Sequence, residues 1–271
     1  MQTTALNYKL IKKIKDERFD EDQIQHYQLL IHIGTRDCQV GVIDPKETRI
    51  LLLEDYVLPN VNSNKELHEV LDQLFDGHPF LKAGFWNSIK VSIKNQKFVQ
   101  VPNALFSEES LADYLQYNAA INPEIESYDY VSNKDANAVT VFAINTDLKE
   151  WLNKTYPNKE ILFTHQSASL IDGVMNYAKG RSDNPLYIFV DRFKLHILST
   201  SGEKLIYYNQ FAVKQFSDYV RYIMLVLKSL KMDQATSQVV LWGYIGKNSP
   251  HYHEFYKYIN NVAFGGRPDF L

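Results

Sequence analysis

The chain has 271 residues, of which 45% are hydrophobic and 23% are charged, and its formal net charge is −3. This composition is typical of a folded protein with a large core, and it excludes a disordered tail, a collagen and a coiled coil. The small negative charge offers no basic surface for nucleic acid, so nucleic acid is not an expected partner. The longest strongly apolar cluster, 223–227, is too short to span a bilayer, so membrane insertion is not expected.

Cys38 is the only cysteine, so an intrachain disulfide is excluded and a reducing compartment is expected. The lysine-rich N-terminal segment has no apolar run after it, as a signal peptide requires. These two features predict a cytoplasmic location. Cys38 also lies within a predicted strand without a nearby histidine, so a catalytic thiol is not expected.

Three strands separated by short turns are predicted near the N-terminus, over 29–33, 38–43 and 49–57. Their turns contain Gly-Thr-Arg-Asp and Asp-Pro, and these residue types favour tight reversals of the chain. Ser63 then has the character of a helix N-cap before an amphipathic helix. The sequence therefore predicts an antiparallel meander followed by a helix.

The same order of elements returns in the last third of the chain. Strands are predicted over 186–190, 194–198 and 204–213, and a helix with 3.6-residue apolar periodicity begins at about Gln215. The two copies are separated by roughly 155 residues, which indicates a duplicated α/β lobe and excludes a short-period solenoid.

The segment between the copies has its own pattern of strands and helices. Strands are predicted over 89–93, 98–101, 128–131, 138–144 and 161–163, with helices beginning at Ser107, Asp147 and Ser167. This pattern predicts an inserted α+β subdomain at about 88–145 and a connecting helix at about 166–180. A strand over 238–242 and a helix over 252–259 are expected after the second meander.

This order of elements resembles the actin-like ATPase superfamily, and its layout is most similar to the PilM and FtsA type. Four short runs near the C-terminus are also similar to the uncharacterised DUF3822 family of Bacteroidetes: YYNQF (207–211), DYV (218–220), LWG (241–243) and YINNV (258–262). The resemblance implies a two-lobed α/β fold made of duplicated RNase H-like lobes. The first lobe is expected over 1–180, including the inserted subdomain, and the second over 181–271.

The resemblance also implies where a nucleotide would bind, and the first phosphate loop departs from the family pattern. Active members carry Asp-x-Gly-Ser/Thr at the end of the first strand, where the aspartate organises hydrated Mg²⁺. Here Gly34 and Thr35 keep the turn, but His32 replaces the aspartate. Imidazole is a poor partner for Mg²⁺, which prefers oxygen ligands. We interpret His32 as a strand-end histidine held by a local hydrogen bond.

The second phosphate loop and the adenosine segment depart as well. Asp191 is retained, but Arg192 and Phe193 replace two glycines, and their side chains hinder close approach of the backbone to a phosphate. Gly243 is retained in the adenosine segment, whereas Tyr244 occupies the position of a second glycine. We predict that the Tyr244 ring is mostly buried, with its hydroxyl hydrogen-bonded, in the space that an adenine would need.

The remnant nucleotide-binding positions are therefore Gly34, Thr35, Asp191 and Gly243, with no catalytic residue and no metal ligand predicted. The leading hypothesis is a catalytically inactive scaffold without a cofactor that binds a protein partner. The alternative hypothesis is a degenerate switch that binds ATP and Mg²⁺. A nuclease is a third possibility, which requires clustered carboxylates.

Two segments are candidates for the partner surface: the inserted segment from Lys90 to Ile144 and the aromatic C-terminal helix. The apolar side chains of that helix also fit an ordinary core face. They are Tyr252, Phe255, Tyr256 and Ile259.

Overall fold

The computed structural model describes residues 7–181, 183–192 and 194–266. Within them the strands are β1 (Lys9–Lys15), β2 (Gln28–Gly34), β3 (Asp37–Asp44), β4 (Arg49–Val57), β5 (Ser88–Lys94), β6 (Phe98–Pro102), β7 (Glu126–Asn133), β8 (Ala138–Asn145), β9 (Ile161–His165), β10 (Leu186–Val190), β11 (Lys194–Ser201), β12 (Lys204–Ala212), β13 (Val239–Gly243) and β14 (Val262–Phe264). The helices are α1 (Asn64–Gly77), α2 (Leu111–Gln116), α3 (Thr146–Thr155), α4 (Gln166–Ala178), α5 (Phe216–Ser229) and α6 (Pro250–Tyr256).

The residue contacts divide the described chain into two compact units. The first contains 7–132 and 139–168, and the second contains 133–138 and 169–266. The division falls within α4, whereas the sequence placed the whole connecting helix, about 166–180, in the first lobe.

The first unit is built on a six-stranded sheet with the order β1-β4-β3-β2-β5-β9. Strands β2, β3 and β4 pair antiparallel, which confirms the first predicted meander. Helix α1 begins at a capping box, in which the Ser63 hydroxyl accepts the Glu66 N–H and the Glu66 carboxylate accepts the Ser63 N–H. The predicted cap is therefore confirmed, and the apolar face of α1 is buried in the core of this unit.

Strand β5 was predicted to belong to the inserted subdomain of 88–145, and this assignment is wrong. It pairs parallel with β2 over its whole length, from Gln28↔Ser88 to Gly34↔Lys94, so it belongs to the main sheet. The separate three-stranded sheet, β6-β8-β7, starts only at Phe98 and has a small core of its own. The alternating Ile and Val residues of β5 fit either sheet. The sequence could not decide between the two sheets, because the partner of a parallel strand lies far away along the chain.

Strand β1 was not predicted. It adds antiparallel to β4 at one edge of the main sheet, and all seven of its residues are exposed. Since neither face of the strand is buried, its sequence lacks the apolar alternation that identifies a half-buried strand.

The second unit contains a five-stranded sheet with the order β12-β11-β10-β13-β14. The second predicted meander is confirmed, because β10, β11 and β12 pair antiparallel. Strands β13 and β14 run parallel to β10, and the three-residue β14 was not predicted. Helix α5 buries Ile223, Val226 and Leu227 in the core of this unit. No helix among the described residues is long and apolar enough to cross a membrane.

Candidate functional site

The carboxyl ends of three neighbouring parallel strands form one candidate site in the first unit. Strands β2, β5 and β9 end at Gly34, Lys94 and His165. The register pairs Gly34 with Lys94 and Ile93 with His165, so the three ends lie side by side. In open α/β sheets, ligands bind outside such strand ends.

A buried ion pair lies against Gly34 at this edge. The Lys94 ammonium Nζ is 2.6 Å from Oδ2 of Asp37, and both side chains are buried. A Cβ atom on Gly34 would overlap Oδ1 of Asp37 and lie 3.0 Å from Cδ of Lys94. The ion pair therefore fills the space beside Gly34, which favours glycine here for a reason that involves no phosphate. Thr35 follows on the surface.

His32 makes a hydrogen bond, as expected, but its partner is not local in the sequence. Its Nδ1 lies 3.0 Å from Oγ of Ser92 on β5. The partner is on the neighbouring strand, so the imidazole joins two strands of the sheet.

His165 was missed by the sequence analysis. It is buried between the rings of Phe98 and Phe142, at centroid distances of 4.7 and 5.7 Å. Its Nδ1 accepts the Ser167 N–H at 3.1 Å and lies 2.7 Å from the Ser167 hydroxyl. A polar residue directly after a short buried strand was the signal that could have identified it.

In the second unit, β10 and β13 end side by side, with Val190 paired to Gly243. Gly243 has a φ of +91°, and a Cβ atom there would overlap the carbonyl oxygen of Val190. The same carbonyl accepts the Tyr244 N–H at 2.7 Å. The backbone at this strand end therefore requires glycine for its own geometry.

We expect Gly243→Ala to lower the free energy of unfolding by about 1–3 kcal/mol, since a side chain would be forced into a strained backbone region. Gly246→Ala is the matched control, because a Cβ atom added to Gly246 would meet no neighbouring atom and its φ is not positive. Its expected effect is within about 0.5 kcal/mol. Urea denaturation measures both, and equal effects would contradict this account of Gly243.

Asp191, the retained acid of the second loop, is buried and held by its own loop and sheet. Its Oδ1 accepts the Arg192 N–H at 2.7 Å, and its Oδ2 lies 3.9 Å from Nε2 of His196. The other imidazole nitrogen of His196 is 2.9 Å from the Tyr208 hydroxyl. Phe193, the second predicted glycine replacement, lies outside the described residues.

The prediction that Tyr244 is mostly buried is wrong. The residue is 46% exposed, and the guanidinium carbon of Arg192 lies 4.6 Å from its ring centroid. A tyrosine ring can lie at the surface when a cation covers one face of the ring, because the cation–π attraction persists at partly exposed sites. The two substituted loops of this unit therefore contact each other through their side chains.

These contacts fit a Mg²⁺–triphosphate poorly. Mg²⁺ requires accessible oxygen ligands, whereas the strand-end acid is replaced by His32 and the carboxylate of Asp191 is buried. Across the described residues, no three His, Cys, Asp or Glu side chains are grouped so as to hold a metal ion. Burial raises the pKa of the Cys38 thiol, which does not favour a nucleophilic thiolate.

The predicted partner helix mainly supplies core residues. Phe255 and Ile259 are buried, Tyr252 is half-buried and Tyr256 is exposed. Its apolar pattern is thus explained largely by packing within the second unit.

The fold is shared with solved structures. A protein of unknown function with an actin-like ATPase fold, from Bacteroides thetaiotaomicron, is 23% identical, with a TM-score of 0.81 over 91% of this chain and 93% of its own. A chain of the PilM–PilN type IV pilus biogenesis complex is 11% identical, with a TM-score of 0.55 over 88% of each chain. At such identities the likeness shows the fold alone. The chain therefore has an actin-like ATPase fold, as the resemblance implied.

No protein with a curated description matches the sequence. The model of a family described as "Protein of unknown function (DUF3822)" matches residues 16–262, which is most of the chain. The chain therefore belongs to the DUF3822 family.

Proposed function

We propose that this chain is a catalytically inactive protein of the actin-like fold that acts in the cytoplasm as a scaffold for a protein partner. The buried Lys94–Asp37 ion pair carries the proposal. At the first strand end it fills the space beside Gly34, and Asp37 neutralises the Lys94 ammonium that would otherwise attract a phosphate.

The second loop supports the same proposal. Asp191 is buried, and Arg192 stacks on Tyr244. Neither residue offers the accessible carboxylate or the bare glycine backbone on which the nucleotide chemistry of the superfamily depends.

A protein partner is proposed by analogy. The PilM–PilN structure is a complex of two proteins, and one of its chains shares the fold of this chain. A shared fold alone does not establish a shared function. The analogy therefore suggests that the partner is a protein, but it does not identify that protein.

The degenerate ATP-binding switch remains the second candidate, and one observation favours it. Tyr244 is exposed and lies beside the cation of Arg192, and an exposed aromatic ring is a surface on which a base can stack. The retained turn of Gly34 and Thr35 is consistent with this function.

We expect millimolar Mg-ATP to leave the thermal unfolding midpoint unchanged, because the phosphate loops do not offer a site. A ligand at a hundredfold its dissociation constant stabilises a protein by about 2.7 kcal/mol, which raises the midpoint by several degrees. If Mg-ATP raises the unfolding midpoint, and this rise is lost in Tyr244→Ala but kept in a Tyr256→Ala control, the ATP-binding switch becomes the better supported function and the scaffold proposal is rejected. Tyr256 is also an exposed tyrosine, at 52%.

The scaffold itself is tested by crosslinking the tagged full-length chain in the cells that normally produce it. The expected result is one protein partner captured at constant stoichiometry in replicate experiments. Recovery of the chain alone would overturn the proposal.

A further inference from the structure

An open groove lies beside the C-terminal half of α5, away from the strand ends described above. It has a volume of about 890 Å³. Its apolar lining comes from α5 and from the turn that follows it, and consists of Tyr222, Met224, Leu225, Leu227 and Met232. Leu225 is 58% exposed and is therefore the member of this apolar set that is most accessible to a partner.

The lining combines a stacked aromatic ring with two methionine side chains. The Tyr222 ring stacks on Phe211 at a centroid distance of 4.5 Å, and the Arg221 guanidinium lies 4.7 Å from the Tyr222 ring. Met224 and Met232 are two of only four methionines in the chain. Flexible thioethers adapt to the shape of an apolar partner, while a stacked aromatic wall keeps its form.

The exposed charges around the groove are mainly positive. Arg221, Leu225 and Lys228 follow one another at spacings of four and three residues, so they share one face of α5. Arg221 contacts Asp218 at 3.2 Å, yet its side chain remains 64% exposed. Asp233 also lines the groove and adds one negative charge, because its carboxylate accepts the backbone N–H groups of the turn that follows it and stays ionised. The groove therefore presents the exposed Leu225 between two cations on one face of α5.

We propose that this groove binds an amphipathic helical segment of another protein, with apolar anchors flanked by Asp or Glu. The inference rests on the scaffold function proposed above. The cations Arg221 and Lys228 are seven residues apart, about 10 Å along α5, which matches two turns of a partner helix. A concave groove also suits a helix better than it suits a flat bilayer surface.

The test is a selection followed by a binding measurement. A display library of helical peptides, about 15 residues long, carries apolar residues at i, i+3, i+4 and i+7 and random flanking positions. It is selected against the full chain, and the enriched peptides are labelled with fluorescein for anisotropy. We expect enrichment of Asp and Glu at the flanks. We also expect about tenfold weaker binding to the double variant R221E/K228E.

The matched control is K204E/K247E, which makes the same change in net charge at two exposed lysines of the same unit. It is expected to bind the peptides as the unsubstituted chain does. Leu225→Ser is a second variant that removes the apolar anchor without a change of charge, and it is expected to weaken binding as well.

Several results would overturn the groove as the peptide site. These are enrichment of basic or neutral flanks, no enrichment at all, or equal binding to R221E/K228E and K204E/K247E. Binding to phosphatidylserine vesicles that is lost in R221E/K228E would assign the groove to a membrane surface. Self-association that is lost in Leu225→Ser would assign it to a second copy of the chain.

The crosslinking experiment separates the groove from the scaffold function. If R221E/K228E still captures the partner at the level of the unsubstituted chain, the groove proposal fails and the scaffold stands. If the unsubstituted chain captures no partner, the scaffold proposal is rejected, whatever the result of the peptide-binding measurement. Loss of the captured partner in R221E/K228E but not in K204E/K247E supports both the scaffold proposal and the groove proposal.

Discussion

Lys94→Met should lower the free energy of unfolding by about 3–5 kcal/mol, because it leaves the buried Asp37 carboxylate without its ammonium partner. Methionine keeps the length of the side chain, so the loss comes mainly from the ionic interaction between Lys94 and Asp37. Urea denaturation at neutral pH measures it, with the midpoint and the slope recorded separately.

The double variant Asp37→Leu with Lys94→Met is the matching control. Both charges are then absent, and replacing a buried ion pair by apolar residues is often close to neutral. We expect the double variant to recover most of the stability that Lys94→Met loses. If Lys94→Met is as stable as the unsubstituted chain, the ion pair does not hold the first strand end, and Lys94 becomes a candidate anion ligand.

A second buried carboxylate should have an effect of similar size. Glu54 is buried on β4 and is hydrogen-bonded by the Tyr56 hydroxyl and His78 Nε2, each at 2.7 Å, and by Lys13 Nζ at 2.8 Å. We expect Glu54→Gln to cost about 3 kcal/mol in urea denaturation, because three polar partners lose their charged acceptor. Lys13→Met is the control, with an expected cost below about 1 kcal/mol, since Lys13 is 46% exposed.

The contribution of Glu54 should also depend on pH. Burial alone would raise the pKa of this carboxyl, but the hydrogen bonds from His78, Lys13 and Tyr56 lower it to about 2. A carboxyl whose pKa is lower in the folded state stabilises the protein fully above its unfolded pKa, here 4.5. The stability difference between the unsubstituted chain and Glu54→Gln should therefore shrink as the pH falls from 4.5 towards 2. A difference that stays constant over that range would exclude ionised Glu54 as its source.

The sequence predicted the elements of the fold better than their partners. Both meanders and the Ser63 cap follow from local signals, namely apolar alternation, turn residues and a serine before an amphipathic helix. Strand β5 was recognised but was assigned to the inserted subdomain, because nothing within 88–94 specifies pairing with β2. Strand β1 was missed for a different reason, since its exposed residues carry no burial pattern at all.

Some residues of the candidate site could likewise be located from the sequence, whereas others could not. Gly34, Asp191 and Gly243 could be located from short motifs, and the structure places each at a strand end. Lys94 and His165 come from segments far from Gly34 in sequence, and only the parallel register brings these strand ends together. The exposure of Tyr244 also escaped prediction, because it depends on a cation–π contact with Arg192, about fifty residues earlier in the chain.

The lysines of β1 have a consequence for how the chain behaves at high concentration. Four of the seven residues of this edge strand are lysines, and Leu10, Ile11 and Ile14 are exposed between them. An exposed edge with apolar side chains can start a cross-β fibril, because it can pair with the same edge of another molecule. Such pairing would bring the lysines of two edges to within about 5 Å of each other, the spacing of adjacent strands. Lys13 and Lys15 already contact the carboxylates of Glu54 and Glu21. The repulsion that opposes fibril growth from this edge therefore comes mainly from the ammonium groups of Lys9 and Lys12.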